Sequence, residues 1–432
     1  MNTLLNDREE KVNKPRTAII HYSAPPVIGG VESVIEAHAR AFIKHGYPIN
    51  IIAGRGEQAG LPPGVKLHII PKMDSLHPDI LGINDSLTKG EIPGEFAPLV
   101  EELTEEMAER LKDYDVVIIH NLFTIHINLP MTVALFRLVE RNLIQRCIAW
   151  CHDFSWADPQ VRGLVHPGYP WDVLRTCLDE IIYVVVSEAR RKTLSNIFGC
   201  PRTQIKVIYN GVDREKLLGL SQEGQKLINE LGLLESDLVL LMPVRVTVRK
   251  NVEFAMQVVA ALKASGYKPQ LILTGPPDPH SEDSMMYFKE LQELRREHNI
   301  VDEFRFVFEH GPDPTKPFTI DHQIVSDLYR VSDMMFMPSH REGFGMPVVE
   351  AGLVGLAVIS TEFPAATEIG GQDIIKFDLA EDPGLVAGRI VTWMEETPTH
   401  RLRSRVRQTL SWDAIFQRDI EPLLQLTTPP LP

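Results

Sequence analysis

Two carboxylates, Glu342 and Glu350, stand either side of Gly343-Phe344-Gly345-Met346-Pro347, with seven residues between them. An apolar run at 333–337, closed by Pro338, precedes this stretch and predicts a buried parallel strand. An apolar segment at 348–354 follows it and predicts a helix, with Pro347 where a first helical turn tolerates it. Strand, glycine-bearing loop and helix in that order leave backbone N–H groups and the positive end of a helix dipole free for an anion. Phosphate alone gives acidic neighbours no purpose. A ligand that carries hydroxyls beside its phosphates does, and a nucleotide sugar is such a ligand.

Cations are found at a matching place. Arg245 ends the apolar run 238–244, and Lys250 follows five positions later, ahead of a helix predicted over 252–264. Arg engages two oxygens with a planar fork and Lys supplies a compact charge, a combination that suits a diphosphate. The plainer alternative is a group of solvated cations that includes Arg249. Gly29-Gly30, between a strand at 17–21 and a helix at about 31–45, form a second candidate anion loop, unless the glycines only permit the turn. Neither G-x-G-x-x-G nor G-x-x-x-x-G-K-[ST] occurs, so no dinucleotide fingerprint or Walker A loop is available. His120-Asn121 and His152-Asp153 close predicted strands at 115–120 and 146–150, at the carboxyl ends where ligands gather in open α/β sheets.

Glu342 and Glu350, with Pro338-Ser339 before them and Gly343-Phe344-Gly345 inside, resemble the E-x7-E signature of the retaining GT-B glycosyltransferases of family 4. Arg245 with Lys250, Asn210-Gly211-Val212-Asp213 and Ser411-Trp412 match further motifs of that family in the same order. The resemblance implies an α/β fold of two doubly wound Rossmann-like domains facing across a cleft. It implies that Arg245 and Lys250 hold the donor's diphosphate, Glu350 its ribose, and Glu342 with the amides of Gly343 to Gly345 its hexose. His152 is then expected near the reacting carbon and His310 in the base-binding loop, so the catalytic set is His152, Arg245, Lys250 and Glu342. Gly29, Gly30, Asn210, Phe344, Met346 and Val348 complete the donor contacts. His120, Asn121 and the long segment 73–97, read as a loop or broken helix, are the acceptor candidates.

The implied reaction is metal-independent transfer of a hexose, glucose or mannose, from UDP-glucose or GDP-mannose to a hydroxyl of a sugar, sugar phosphate or other small acceptor. No cofactor is expected, and positive side chains stand in for a metal. Asp113-Tyr114-Asp115 imitates a metal-binding D-x-D but lies at the wrong end of its strand. Two other readings stay open. One is another GT-B enzyme, such as an epimerase or a phosphorylase, for which activity without an acceptor other than water or phosphate would speak. The other is a catalytically silent scaffold, whose mark would be a lost Lys or Glu.

The 432 residues exceed what one core normally holds. The expected division is a flexible N-terminus at 1–16, a first domain at 17–213 with a returning helix at 411–426, and a second at 214–410, joined through a polar segment at 214–237. A net charge of −14 disfavours nucleic acid. No stretch approaches the roughly 18 apolar residues of a membrane span, and 1–16 lacks an apolar signal core, so a cytoplasmic location is expected. Peripheral membrane contact stays open, and oligomeric state is not readable. Cys147, Cys151, Cys177 and Cys200 form no C-x-x-C, and the first two flank an apolar strand as buried thiols.

Overall fold

The computed structural model describes residues 14–311, 318 and 320–425. They divide into two compact units, one formed by the chain up to Gly211 and again from Trp412, the other by Val212–Ser411. Of the segment expected to be flexible, residues 1–13 lie outside the described residues, whereas Lys14 sits 4.5 Å from the Tyr47 ring centre.

In the first unit the strands are β1 (Thr17–Ser23), β2 (Ile49–Arg55), β3 (Lys66–Ile69), β4 (Val116–His120), β5 (Cys147–Cys151), β6 (Ile181–Val185) and β7 (Ile205–Val207). They form one parallel sheet in the order β3-β2-β1-β4-β5-β6-β7. The main helices between them are α1 (Gly30–Lys44), α2 (Pro78–Thr88), α3 (Phe96–Leu111), α4 (Leu129–Glu140) and α5 (Glu188–Phe198). Segment 73–97, expected to be a loop or broken helix, is a broken helix, with α2 and the start of α3 separated by an irregular stretch. Its helical part is mainly α2, started by Pro78 and burying Ile80, Ile83 and Leu87. That apolar stripe is only three residues long, too short to stand out from the Pro, Gly and Asp around it.

The second unit has β8 (Leu238–Arg245), β9 (Pro269–Gly275), β10 (Phe304–Phe306), β11 (Met334–Met337), β12 (Ala357–Thr361) and β13 (Ile375–Phe377), parallel in the order β10-β9-β8-β11-β12-β13. Its helices are α6 (Arg214–Leu218), α7 (Gln222–Glu230), α8 (Val252–Ala264), α9 (Glu282–Glu297), α10 (His322–Val331), α11 (Met346–Val354), α12 (Pro364–Gly370), α13 (Pro383–Glu396) and α14 (Pro398–Thr409). Leu238, Leu240 and Met242 enter one apolar core and Val239 and Leu241 another, so the continuous apolar run of β8 reflects a sheet covered on both faces. The polar segment 214–237 is not an open linker: α6 and α7 occupy it, and Leu227 and Ile228 enter the core.

After Ser411 come α15 (Trp412–Ile415), a π turn at Phe416–Ile420 and α16 (Glu421–Gln425). They pack on the first unit, with Phe416 stacked on His45 at 4.6 Å and Tyr47 donating to Glu421 at 2.8 Å. Trp412 meets Gly211, where a Cβ would come within 2.8 Å of the indole.

Strand order reverses direction once in each sheet, between β1 and β4 and between β8 and β11. Ligands of doubly wound sheets bind outside the carboxyl ends of the strands at such switch points. Every catalytic residue expected from the sequence ends or follows one of these four strands or β5, next to β4.

Candidate active site

In the second unit, Lys250 ends a tight turn after β8 and is 7% exposed. Its ammonium pairs with the Glu342 carboxylate, whose side chain is itself only 7% exposed. Ser339 donates to the same carboxylate oxygen at 2.6 Å, and Thr361 at the end of β12 donates to the Ser339 carbonyl at 2.7 Å. A cation this far from water persists only with a partner, so Lys250 and Glu342 fix each other. Arg245 ends β8 exposed, and no described residue pairs with its guanidinium. The arrangement therefore has one shielded cation and one open cation beside a helix N-terminus.

That N-terminus belongs to α11. Gly345 precedes it with φ 79°, and a Cβ there would lie 2.8 Å from Phe363, so both conformation and space require glycine. Phe344 and Met346 are 58% and 55% exposed, apolar side chains held out at the loop. Glu350 lies on the exposed side of α11 and accepts from the Tyr329 hydroxyl at 2.6 Å. Val348 is a correction: its side chain is buried and its N–H bonds to the Gly345 carbonyl, which leaves it nothing to offer a donor sugar. His310 follows β10 and faces Glu230 at 3.1 Å, next to residues 312–317, which lie outside the described residues.

In the first unit, Gly29 and Gly30 lead into α1 as expected. A Cβ on Gly29 would fall 2.0 Å from the Glu32 carboxylate, which folds back over it and accepts from Ser23. Glu32 escaped the sequence reading, although a carboxylate in the first turn after paired glycines was a usable signal. Asn210 is exposed, just before Gly211.

His152 follows β5 and is 8% exposed. Its Nε2 lies 3.2 Å from His120 Nδ1, and its backbone N–H donates at 2.7 Å to Asn121 Oδ1. His120 is fully buried, and Asn121, 3% exposed with φ 60°, spends its amide on the 152–153 turn. The acceptor role read for these two is therefore corrected, because neither reaches solvent. They support His152 instead. Asn accepts this left-handed conformation more readily than most residues.

Buried rings continue inward. His38 on α1 packs against Trp150, Trp412 and His120 with ring centres 4.6, 5.2 and 5.4 Å away, and neither of its nitrogens has a hydrogen-bond partner among the described residues. Burial pulls His38 down to about 3 and His152 down to about 4, and lowers His120 well below its usual range. All three are neutral in the folded chain. Unfolding frees them to take up protons below about pH 6.5, so stability is complete above that pH and is lost as pH falls towards 4. Each contributes about 1.4 kcal/mol per pH unit in that window. His38→Phe should flatten the fall in thermal midpoint between pH 6.5 and 4.5, and an unchanged slope would show that His38 is not part of this proton uptake.

Cys147 and Cys151 are buried, and burial pushes the Cys151 thiol up to about 12. Among the described residues no three His, Cys, Asp or Glu side chains are grouped to hold a metal ion, and no helix is long and apolar enough to cross a membrane.

Two family models match the chain. Residues 28–216 match Glycosyltransferase Family 4, and residues 224–405 match Glycosyl transferases group 1. The chain is a glycosyltransferase of family 4. This glycosyltransferase is 24% identical over 377 residues to mannosylglucosylglycerate synthase of Thermotoga maritima, across 81% of each chain. It is also 24% identical over 286 residues to the enzyme of that name from Petrotoga mobilis, a match that spans 62% of this chain and 64% of the relative. Among solved structures, Anabaena HepE in complex with UDP aligns over 95% of the glycosyltransferase and 100% of its own chain, at 19% identity and a TM-score of 0.34.

Proposed function

We propose that this glycosyltransferase moves a hexose from a nucleoside diphosphate sugar to a hydroxyl of a small acceptor, with retention at the anomeric carbon and without a metal. The observation that carries the reading is the group at the β8/β11 switch point: open Arg245, shielded Lys250 and the glycine loop leading into α11. The relatives named mannosylglucosylglycerate synthase support mannose or glucose as the hexose and a small hydroxylated acceptor.

The chemistry follows from the charges. A nucleoside diphosphate leaves as negative charge builds on its phosphate oxygens, and fixed cations and amides lower that barrier because they need no reorganisation. Arg245 and Lys250 fill this role for the diphosphate. Glu342 and the amides of Gly343 to Gly345 hold hexose hydroxyls, and Glu350 holds the ribose. When the diphosphate binds, it competes with Glu342 for Lys250 and frees the carboxylate for the sugar. No carboxylate is assigned as a nucleophile. The departing phosphate takes the acceptor's proton on the face it leaves.

A thermal-shift panel of UDP, GDP, ADP and their hexose conjugates, run in EDTA, tests the donor. A ligand at 100 times its dissociation constant should add about 2.7 kcal/mol of stability. A shift with one base identifies the donor class. No shift with any of them would end the reading.

A further inference from the structure

Tyr329 lies on α10, is 5% exposed, and donates its hydroxyl to Glu350 Oε2 at 2.6 Å. Burial and the adjacent carboxylate push its phenol upward, so it remains a donor at working pH. Glu350 projects from the exposed side of α11, where a free glutamate samples several rotamers. Its Oε1 has no hydrogen-bond partner among the described residues. One oxygen is thus held by a phenol anchored in the core, and the other is left with its lone pairs open.

We propose that Tyr329 is a positioning residue that holds Glu350 Oε2 so that Oε1 is presented to the vicinal hydroxyls of the donor's ribose. This rests on the reading of Glu350 as the ribose carboxylate. The phenol does not touch the diphosphate or the sugar in this scheme. Its removal therefore weakens donor binding and discrimination at the ribose, and leaves bond breaking alone. Tyr329 was not singled out from the sequence, because a lone tyrosine on an amphipathic helix reads as core.

Calorimetric titration with UDP and GDP, each beside its 2′,3′-dideoxy counterpart, separates the possibilities. Tyr329→Phe should weaken binding of the ribonucleotide about tenfold, as expected for a lost hydrogen bond to a charged group. It should leave the dideoxy nucleotide nearly unaffected, raise KM for the donor sugar and keep kcat. In a Glu350→Ala background the same change should cost nothing further. If Glu350→Ala keeps the wild-type preference for ribose, the ribose reading fails and the proposal with it. If Glu350→Ala loses that preference while Tyr329→Phe keeps it, the reading stands and Tyr329 is merely structural. Equal losses for ribo and dideoxy ligands, or additive losses in the double variant, would overturn the positioning role as well.

Discussion

Lys250→Ala is expected to lower kcat about 100-fold or more, the scale of losing one fixed donor to a developing anion. Lys250 is the only one of the two proposed diphosphate cations that is buried, at 7% exposure, so water cannot easily replace it. The substitution also strands the Glu342 carboxylate, whose side chain is 7% exposed and which then keeps, among the described residues, only Ser339 as a donor. Some loss of stability should accompany the loss of rate, because a buried charge without its partner is costly. Release of nucleoside diphosphate under saturating donor, measured on protein shown to be folded by its thermal midpoint, separates the two effects. Folded Lys250→Ala protein with near-normal turnover would remove this side chain from the mechanism.

The second large effect is on stability and arises at the opposite end of β11. Asp333 is 4% exposed as a residue, with its side chain fully enclosed. It accepts from Arg407 at 3.1 and 2.9 Å and from the Val239 N–H at 2.9 Å. Arg407 also donates to the Ser236 carbonyl at 2.9 Å, and His400 and Arg403 lie 3.8 and 3.9 Å from the carboxylate. Asp333 thereby ties α14 to the sheet. Asp333→Ala should cost about 3–5 kcal/mol, since it leaves a buried guanidinium unpaired. Urea unfolding followed by a probe in the second unit would measure it. Asp333→Ala with Arg407→Met should recover part of the loss, because a neutral side chain of similar length removes the stranded charge. A single variant as stable as the parent would mean that water reaches Arg407 and pairs with it.

Much of this protein was legible from local pattern. The run 333–337 followed by Pro338, the glycine loop and Pro347 dictate strand, turn and helix by interactions within a few residues, and the structure places β11 and α11 there. The helix expected at 252–264 after Lys250 is α8. Segment 73–97 stayed undecided between loop and broken helix because α2 is short and its buried stripe is only three residues long. His120 illustrates a different failure: its position at a strand end is visible in the sequence, but the rings that cover it come from α1 and β5.

What the sequence determined by itself was therefore the alternation of strand and helix, the identity of the charged residues at strand ends, and the family they resemble. Only the tertiary structure decided which strand ends are neighbours. β8 lies beside β11 and β1 beside β4, and Lys250 pairs with Glu342 across 92 positions of the chain. Tyr329 reaches Glu350 in the same way, from one helix to the next. The physical reason is range. Turns, caps and periodicity arise from atoms a few residues apart, whereas the pairing of parallel strands and the burial of a charge depend on groups that meet only when the whole sheet has closed over its core.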